Sequence, residues 1–241
     1  MSDVATGLRA LLFDVFGTCV DWRSSVARQA EALGRARGVE GVSWEAFADA
    51  WRGRYQPQME TVRSGARPWV DLDVLHREAL DDVVAEFGLD GALGPADRDA
   101  LTRAWHRLDP WPDTVPGLIR LRARFVVAPN SNGHVALMVD LARHAGLPWD
   151  AILGAEVAGA YKPLPAAYLR SVAMLGLEPG EAMMVAAHND DLVAARACGL
   201  RTGFLPRPTE YGPAQATDLA PAERWDVVAD DLTDLAARLG A

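Results

Sequence analysis

Residues 8–13, Leu-Arg-Ala-Leu-Leu-Phe, make a short run dominated by apolar side chains that stops at Asp14, with Gly17 three positions further on. A run of this length and composition matches a strand buried on both faces of a parallel sheet. Asp14 then stands at the carboxyl end of a central strand, the edge where open α/β sheets place their ligands. Gly17 gives the chain a sharp turn that leaves backbone N–H groups pointing back at the Asp14 carboxylate. A carboxylate held in that way can act as a nucleophile. An ordinary Asp-containing turn after a strand is the alternative for this stretch alone.

Beyond the run the pattern becomes helical for about ninety residues. Val26, Ala30 and Leu33 share one face of a segment starting near Ser24 or Ser25 and ending at Gly38. A second helix is expected from Ser43 through Trp44, Phe47 and Trp51 until Pro57 discourages it. Leu72, Leu75, Ala79, Leu80, Val83 and Phe87 mark a third helix closed by Gly88, and Leu101 and Trp105 a fourth over residues 97–107. Nothing in residues 20–112 reads as a strand, so they are expected to form an all-helical cap over the end of the first strand. Asp109-Pro-Trp-Pro112 cannot continue a helix and marks the return to the core. Strands and helices then alternate: strands over residues 125–128, 151–154, 182–187, 201–205 and 226–229, helices over 134–145, 163–175, 191–198 and 232–239. Alternation implies right-handed crossovers and a parallel sheet. The expected fold is therefore an α/β, Rossmann-like core from residues 1–19 and 113–241 with a helical cap, residues 20–112, inserted after the first strand.

The chain has 241 residues, half of them hydrophobic, enough for such a core plus an insert. A formal net charge of −9 without a basic cluster argues against a nucleic-acid surface. No apolar run approaches the roughly 20 residues that span a bilayer. Cys19 and Cys198 lie far apart without metal-like spacing or a secretory leader, which reads as two reduced thiols in a cytoplasmic protein.

Three loops at the same sheet edge carry polar groups. Pro129 to Gly133 offers Asn130, Ser131 and Asn132, as ligand donors or as ordinary caps of the next helix. Lys162, directly before Pro163, is positioned to neutralise a nearby carboxylate, and Tyr168 either returns to the same edge or packs in the core. His188-Asn189-Asp190-Asp191 supplies a carboxylate able to orient or activate water, with Asp190 preferred as the helix cap. His188 is either a pocket donor and proton carrier or a packed core imidazole.

Asp14 to Thr18, Ser131, Lys162 and the acidic loop at Asp191 occur in the order of the four motifs of the haloacid dehalogenase superfamily, which the chain resembles over nearly its whole length. Within it the chain is similar to the L-2-haloacid dehalogenases, and the helical insert falls at the family's cap position. The resemblance implies Asp14 as nucleophile with Thr18 and Lys162 stabilising its charge, and Asp191 positioning water. It implies Ser131 and the backbone at Val15 and Phe16 as the substrate-carboxylate site. Arg52, in the Trp51-Arg52 pair, would receive the halide together with Asn132, with Arg54 as the competing arginine. Trp69 and Phe16 are candidates for an apolar wall around the halogen, or core residues. Further implications are a small halocarboxylate substrate, no metal, no cofactor and a homodimer.

Two features set the chain against other readings. Phosphatases of the superfamily carry a second aspartate two positions after the nucleophile and an acidic residue in motif four; here these positions hold Phe16 and Ala186-Ala187, which removes a hard anionic ligand for Mg²⁺. The better-known dehalogenases carry Ser-Ser-Asn where this chain has Ala186-Ala187-His188, and His188 is expected to reshape the halide or water pocket, towards smaller halides such as fluoride. A Mg²⁺-dependent phosphatase and a catalytically silent anion- or partner-binding relative remain the alternatives.

Overall fold

The computed structural model describes residues 3–241. Strand β1 (Ala10–Phe13) is buried along its whole length, and β2 (Val20–Asp21) follows the Asp14 loop. Five helices come next: α1 (Trp22–Ala36), α2 (Trp44–Gly53), α3 (Tyr55–Arg63), α4 (Leu72–Glu86) and α5 (Pro95–Thr102). A 3₁₀ turn (Arg103–His106) leads to β3 (Asp109–Pro110). The remainder alternates: α6 (Thr114–Arg122), β4 (Val126–Ser131), α7 (Val135–Ala145), β5 (Leu153–Gly154), α8 (Ala155–Ala158), α9 (Pro165–Met174), β6 (Ala182–Ala186), α10 (Asn189–Ala197), β7 (Arg201–Phe204), β8 (Val227–Val228) and α11 (Leu232–Leu239).

The main sheet has the order β5-β4-β1-β6-β7-β8 and every pairing in it is parallel. With β1 between β4 and β6, the loops after all three strands open at one edge beside Asp14. Along β1 side chains alternate between two cores: Ala10 and Leu12 join the face covered by α9 and α10, whereas Leu11 and Phe13 join the opposite face. That second core continues through Val15, Phe16, Cys19 and Trp22 into the helices α1 to α5 without interruption.

Several expectations need correction. Residues 20–112 are not purely helical, because β2 and β3 pair antiparallel through Val20↔Pro110 and Asp21↔Asp109 at the two stems of the insert. Such two-residue pairing leaves no periodicity to read. Helix α1 starts earlier, its first turn capped by the Asp21 side chain accepting the Ser24 N–H at 3.0 Å. Pro57 does not end a helix but sits in the first turn of α3, where its missing N–H costs nothing. Strand β4 runs through Pro129 to Ser131, so those residues are strand and not loop. Pro165 rather than Pro163 opens α9, and α10 begins at Asn189 after His188, so Asp190 lies within its first turn and is not its cap. Helix α6 was not foreseen; Leu118 and Leu121 are buried, but Pro116 and Gly117 obscure the pattern.

Among the described residues no helix is long and apolar enough to cross a membrane, and Cys19 and Cys198 are both free thiols.

Candidate active site

The Asp14 carboxylate is held from both sides. Lys162 Nζ donates to Oδ1 at 3.2 Å, while Thr18 Oγ1 donates to Oδ2 at 2.7 Å and His188 Nδ1 lies 3.2 Å from that same oxygen. Thr18 reaches Asp14 because the chain reverses at Gly17, whose φ of +86° belongs to the region open to glycine. The Thr18 hydroxyl also accepts the Ala187 N–H at 2.9 Å, tying the end of β6 to the loop after β1 and directing the hydroxyl proton at Asp14. Arg207 fixes the loop from below, donating from Nε to the Thr18 carbonyl at 2.9 Å and forking onto Asp113 at 2.7 and 2.8 Å.

On the Oδ1 side, Lys162 also donates to Asp191 Oδ2 at 2.7 Å, and the Tyr168 hydroxyl donates to Asp191 Oδ1 at 2.6 Å. The lysine is itself placed by its backbone: its N–H donates to Asn132 Oδ1 at 2.8 Å, and its carbonyl accepts from Arg63 of α3 at 2.8 Å. On the Oδ2 side, His188 Nε2 lies 2.9 Å from Glu210 Oε2, and Trp22 donates to Glu210 Oε1 at 2.9 Å. Glu210 is buried directly under Gly17, where a Cβ would fall 2.1 Å from its Oε1. Glycine is thus required at position 17 twice over, by backbone angle and by space.

These contacts decide the charge states. Burial raises the Asp14 carboxyl, but the Lys162 ammonium and the His188 imidazole more than offset it and hold the group below the ordinary carboxylate range. Burial works against the charged form of His188 too, yet Glu210 and Asp14 lift it well above an ordinary histidine, so it is imidazolium at neutral pH. Lys162 is likewise raised, against burial, by Asp191 and Asp14. Asp191 shifts upward, chiefly through burial, with Asp14 adding to the effect and Lys162 opposing it.

Asp14, Lys162, Asp191, His188 and Tyr168 open onto a cavity of about 640 Å³ whose other walls include Phe16, Asn132, Arg52, Tyr55, Gln56, Arg63 and Tyr211. Arg52 projects from α2, its guanidinium 3.9 Å from the Tyr55 ring centre and 5.4 Å from that of Trp22. Its Nη1 is buried and has no hydrogen-bond partner among the described residues. A buried, unpaired guanidinium N–H is expensive without an anion to meet it. Arg54, by contrast, turns outward to the Ala50 carbonyl and to Glu86.

The structure therefore brings Asp14, Phe16, Thr18, Arg52, Asn132, Lys162, Tyr168, His188 and Asp191 around one space, Thr18 from a fully buried position behind Asp14. Besides Thr18, three expected residues lie outside the cavity lining. Val15 is fully buried, Ser131 is buried with its Oγ accepting the Gly133 N–H at 3.0 Å, and Trp69 packs at a tilt against Tyr161 with ring centres 4.6 Å apart. Glu210, Tyr55, Tyr211 and Arg63 were not foreseen; Tyr55 lay three residues from Arg52 on the insert, and Glu210 carried no motif at all.

A family model of haloacid dehalogenase-like hydrolases matches residues 8–199. The chain is 30% identical over 237 residues to (S)-2-haloacid dehalogenase 4A of Burkholderia cepacia, covering 95% of this chain and 98% of that protein. Among solved structures, a defluorinating L-2-haloacid dehalogenase superposes with a TM-score of 0.94 at 52% identity, covering 97% of this chain and 96% of that one. A second L-2-haloacid dehalogenase gives a TM-score of 0.92 at 51% identity over 97% and 99% of the two chains. The sheet order, the paired carboxylate and lysine at its edge and these matches give one conclusion: the chain belongs to the haloacid dehalogenase-like hydrolase family.

Proposed function

We propose that this protein hydrolyses the carbon–halogen bond of short 2-haloalkanoic acids, haloacetate and (S)-2-halopropionate, releasing halide and the 2-hydroxy acid through an ester on Asp14. The observation that carries the reading is an ionised Asp14 flanked by cations, on a cavity also lined by Arg52, whose Nη1 has no partner among the described residues. Residues 20–112 act as the cap that closes this cavity, and the relatives named above are dehalogenases of this substrate class.

In the first step Asp14 Oδ1 attacks the α-carbon, the new C–O bond forms as the C–halogen bond breaks, and the halide leaves with its electron pair towards Arg52 and Asn132. Inversion follows from the in-line geometry. The substrate carboxylate is held by the backbone of the Val15-Phe16 loop beside Asp14, with Ser131 supporting from behind. In the second step water attacks the Asp14 carbonyl carbon, its proton passing to Asp191, whose raised proton affinity suits a general base. Negative charge then develops on Oδ2, where the Thr18 hydroxyl and the His188 imidazolium already donate. Collapse breaks the bond between the Asp14 carbonyl carbon and Oδ1, the departing alkoxide takes the proton back from Asp191, the new Asp14 carboxyl loses its remaining water proton to solvent, and the 2-hydroxy acid leaves carrying the original Asp14 oxygen.

This places His188 in ester cleavage, where it supplies a charged donor at the position of the amide found in the better-known dehalogenases. A Mg²⁺ ion does not fit the residues present: Asp14 Oδ1 already meets an ammonium and Oδ2 an imidazolium and a hydroxyl, and the supporting carboxylate positions hold Phe16 and Ala187. The protein is therefore expected to work without a metal at Asp14.

Chloride release from L-2-chloropropionate tests the reading. Wild type is expected to turn over in EDTA, and Asp14→Asn to lose at least about 10⁴-fold in kcat/KM. Activity that disappears in EDTA and returns with Mg²⁺, or an Asp14→Asn enzyme as fast as wild type, contradicts it.

A further inference from the structure

At the seam between the helical insert and the sheet-bearing part, Asp73 in the first turn of α4, His106 at the end of the 3₁₀ turn and His134 before α7 converge with one ligand atom each within 4.8 Å of one another. Both histidines are more than nine-tenths buried. His106 Nε2 faces Asp73 Oδ1 at 2.9 Å, and its other ring nitrogen, Nδ1, lies 2.8 Å from Asp140 Oδ2 on α7. That carboxylate–imidazole pair is the arrangement by which proteins orient a metal-binding histidine and fix its tautomer. His134 Nε2 stands 3.8 Å from Asp73 Oδ2, beyond hydrogen-bond reach, and its Nδ1 is buried without a partner among the described residues. The cluster thus contains an incompletely satisfied imidazole beside a carboxylate.

We propose that Asp73, His106 and His134 form a binding site for one divalent transition-metal ion of the Zn²⁺ class, bridging the insert and the α7 side of the sheet. Two imidazoles and one carboxylate are the donor set such ions take, with a fourth position left to water. Arg103 is the group the ion displaces: its Nη1 lies 3.2 Å from both Asp73 Oδ2 and His106 Nε2, and its side chain is half exposed, free to turn into solvent. On binding, the metal takes the Nε2 lone pair of His106, the proton goes to solvent, and Nδ1–H remains on Asp140. The ion joins elements from residues 73, 106 and 134, so it stabilises the closed arrangement of insert and sheet and takes no part in the chemistry at Asp14.

The test uses the full-length protein stripped with EDTA and titrated with Zn²⁺ or Co²⁺, following heat, the visible Co²⁺ bands and Tm. One equivalent per chain is expected, with Tm rising by roughly 5 °C at a hundredfold excess over Kd while turnover well below Tm stays unchanged. His134→Gln is expected to abolish the Co²⁺ bands, and Asp140→Asn to weaken binding about tenfold. Arg103→Gln, a surface change safe for folding, is expected to tighten binding several-fold by removing the competing cation. No saturable binding, binding untouched by His134→Gln, or Arg103→Gln weakening it overturns the proposal and leaves the cluster as an ion-pair network.

Discussion

The two oxygens of Asp14 live in different worlds. Oδ1 meets Lys162, which reaches on to Asp191 and through it to Tyr168, all contributed by the edge of the parallel sheet and the helices α9 and α10 that follow its strands. Oδ2 faces Thr18 and His188, and the histidine is in turn held by Glu210 from a late loop, which itself accepts from Trp22 on the first helix of the insert. The first set is what a parallel sheet delivers by topology; the second depends on two distant segments meeting under Gly17. The division assigns the Oδ1 side to attack and water activation and the Oδ2 side to charge developing on the ester carbonyl.

Removing the Oδ1 cation has the largest expected effect. Lys162→Met leaves Asp14 and Asp191 facing each other across a buried site, at a cost of about 3–5 kcal/mol in stability and roughly 10³-fold in kcat/KM. Denaturant unfolding and halide release check both; an enzyme that keeps its rate shows that Oδ1 does not need the ammonium.

Next comes the Oδ2 side. Fluoroacetate and chloroacetate give the same ester on Asp14, so a residue acting only in the second step affects both alike once that ester accumulates. His188→Asn is expected to lower kcat by about 10²-fold, with both substrates converging on one value and a burst of halide before the steady state. A changed ratio between the two halides would move His188 into the halide pocket, where the sequence placed it as an alternative. Glu210→Gln is expected to cost less, about tenfold. Its clearer effect is to shift the alkaline limb of the pH–rate profile to lower pH, because Glu210 heads the interactions that raise His188 against burial.

The two sides also differ in how pH acts on stability. The folded-state proton affinity of His188 is above its unfolded value near 6.5, so its contribution is complete below that pH and is lost as pH rises through the folded value. Asp14 shifts the other way, and its contribution, present above about 3.8, is lost on acidification. The stability difference between wild type and His188→Asn is therefore expected to shrink as pH rises from mildly acid towards alkaline, in urea titrations at several pH values. A difference that grows with pH contradicts the imidazolium assignment.

These contrasts track how much the sequence disclosed. Asp14, Lys162 and Asp191 were legible because each follows a short apolar run, and parallel strands put their loops on one edge. His188 was legible as a residue but not as a partner: nothing in His188-Asn189-Asp190-Asp191 says that a glutamate 22 positions later will be buried beneath Gly17. Glu210 sits in irregular chain without period or motif, and only the packing of Trp22 against it discloses its place. Pro57 misled for a related reason, since proline ends some helices and is tolerated in the first turn of others, as it is here in α3. Trp69 misled because large aromatics fill cores and pockets alike.

The smallest expected effect belongs to that residue. Trp69→Phe preserves a ring against Tyr161 away from the cavity and is expected to change kcat/KM by less than about twofold. A tenfold loss would put the indole back into the halogen's wall.

The most direct test of the whole account is one turnover in heavy-oxygen water with enzyme in excess over L-2-chloropropionate, followed by mass analysis of the Asp14 peptide and of the product. Label in Asp14 and an unlabelled 2-hydroxy acid are the expected result, because the product carries the carboxylate oxygen away. Label in the product after that first turnover, with Asp14 unlabelled, would mean that water attacks the α-carbon directly and that Asp14 never bonds to carbon.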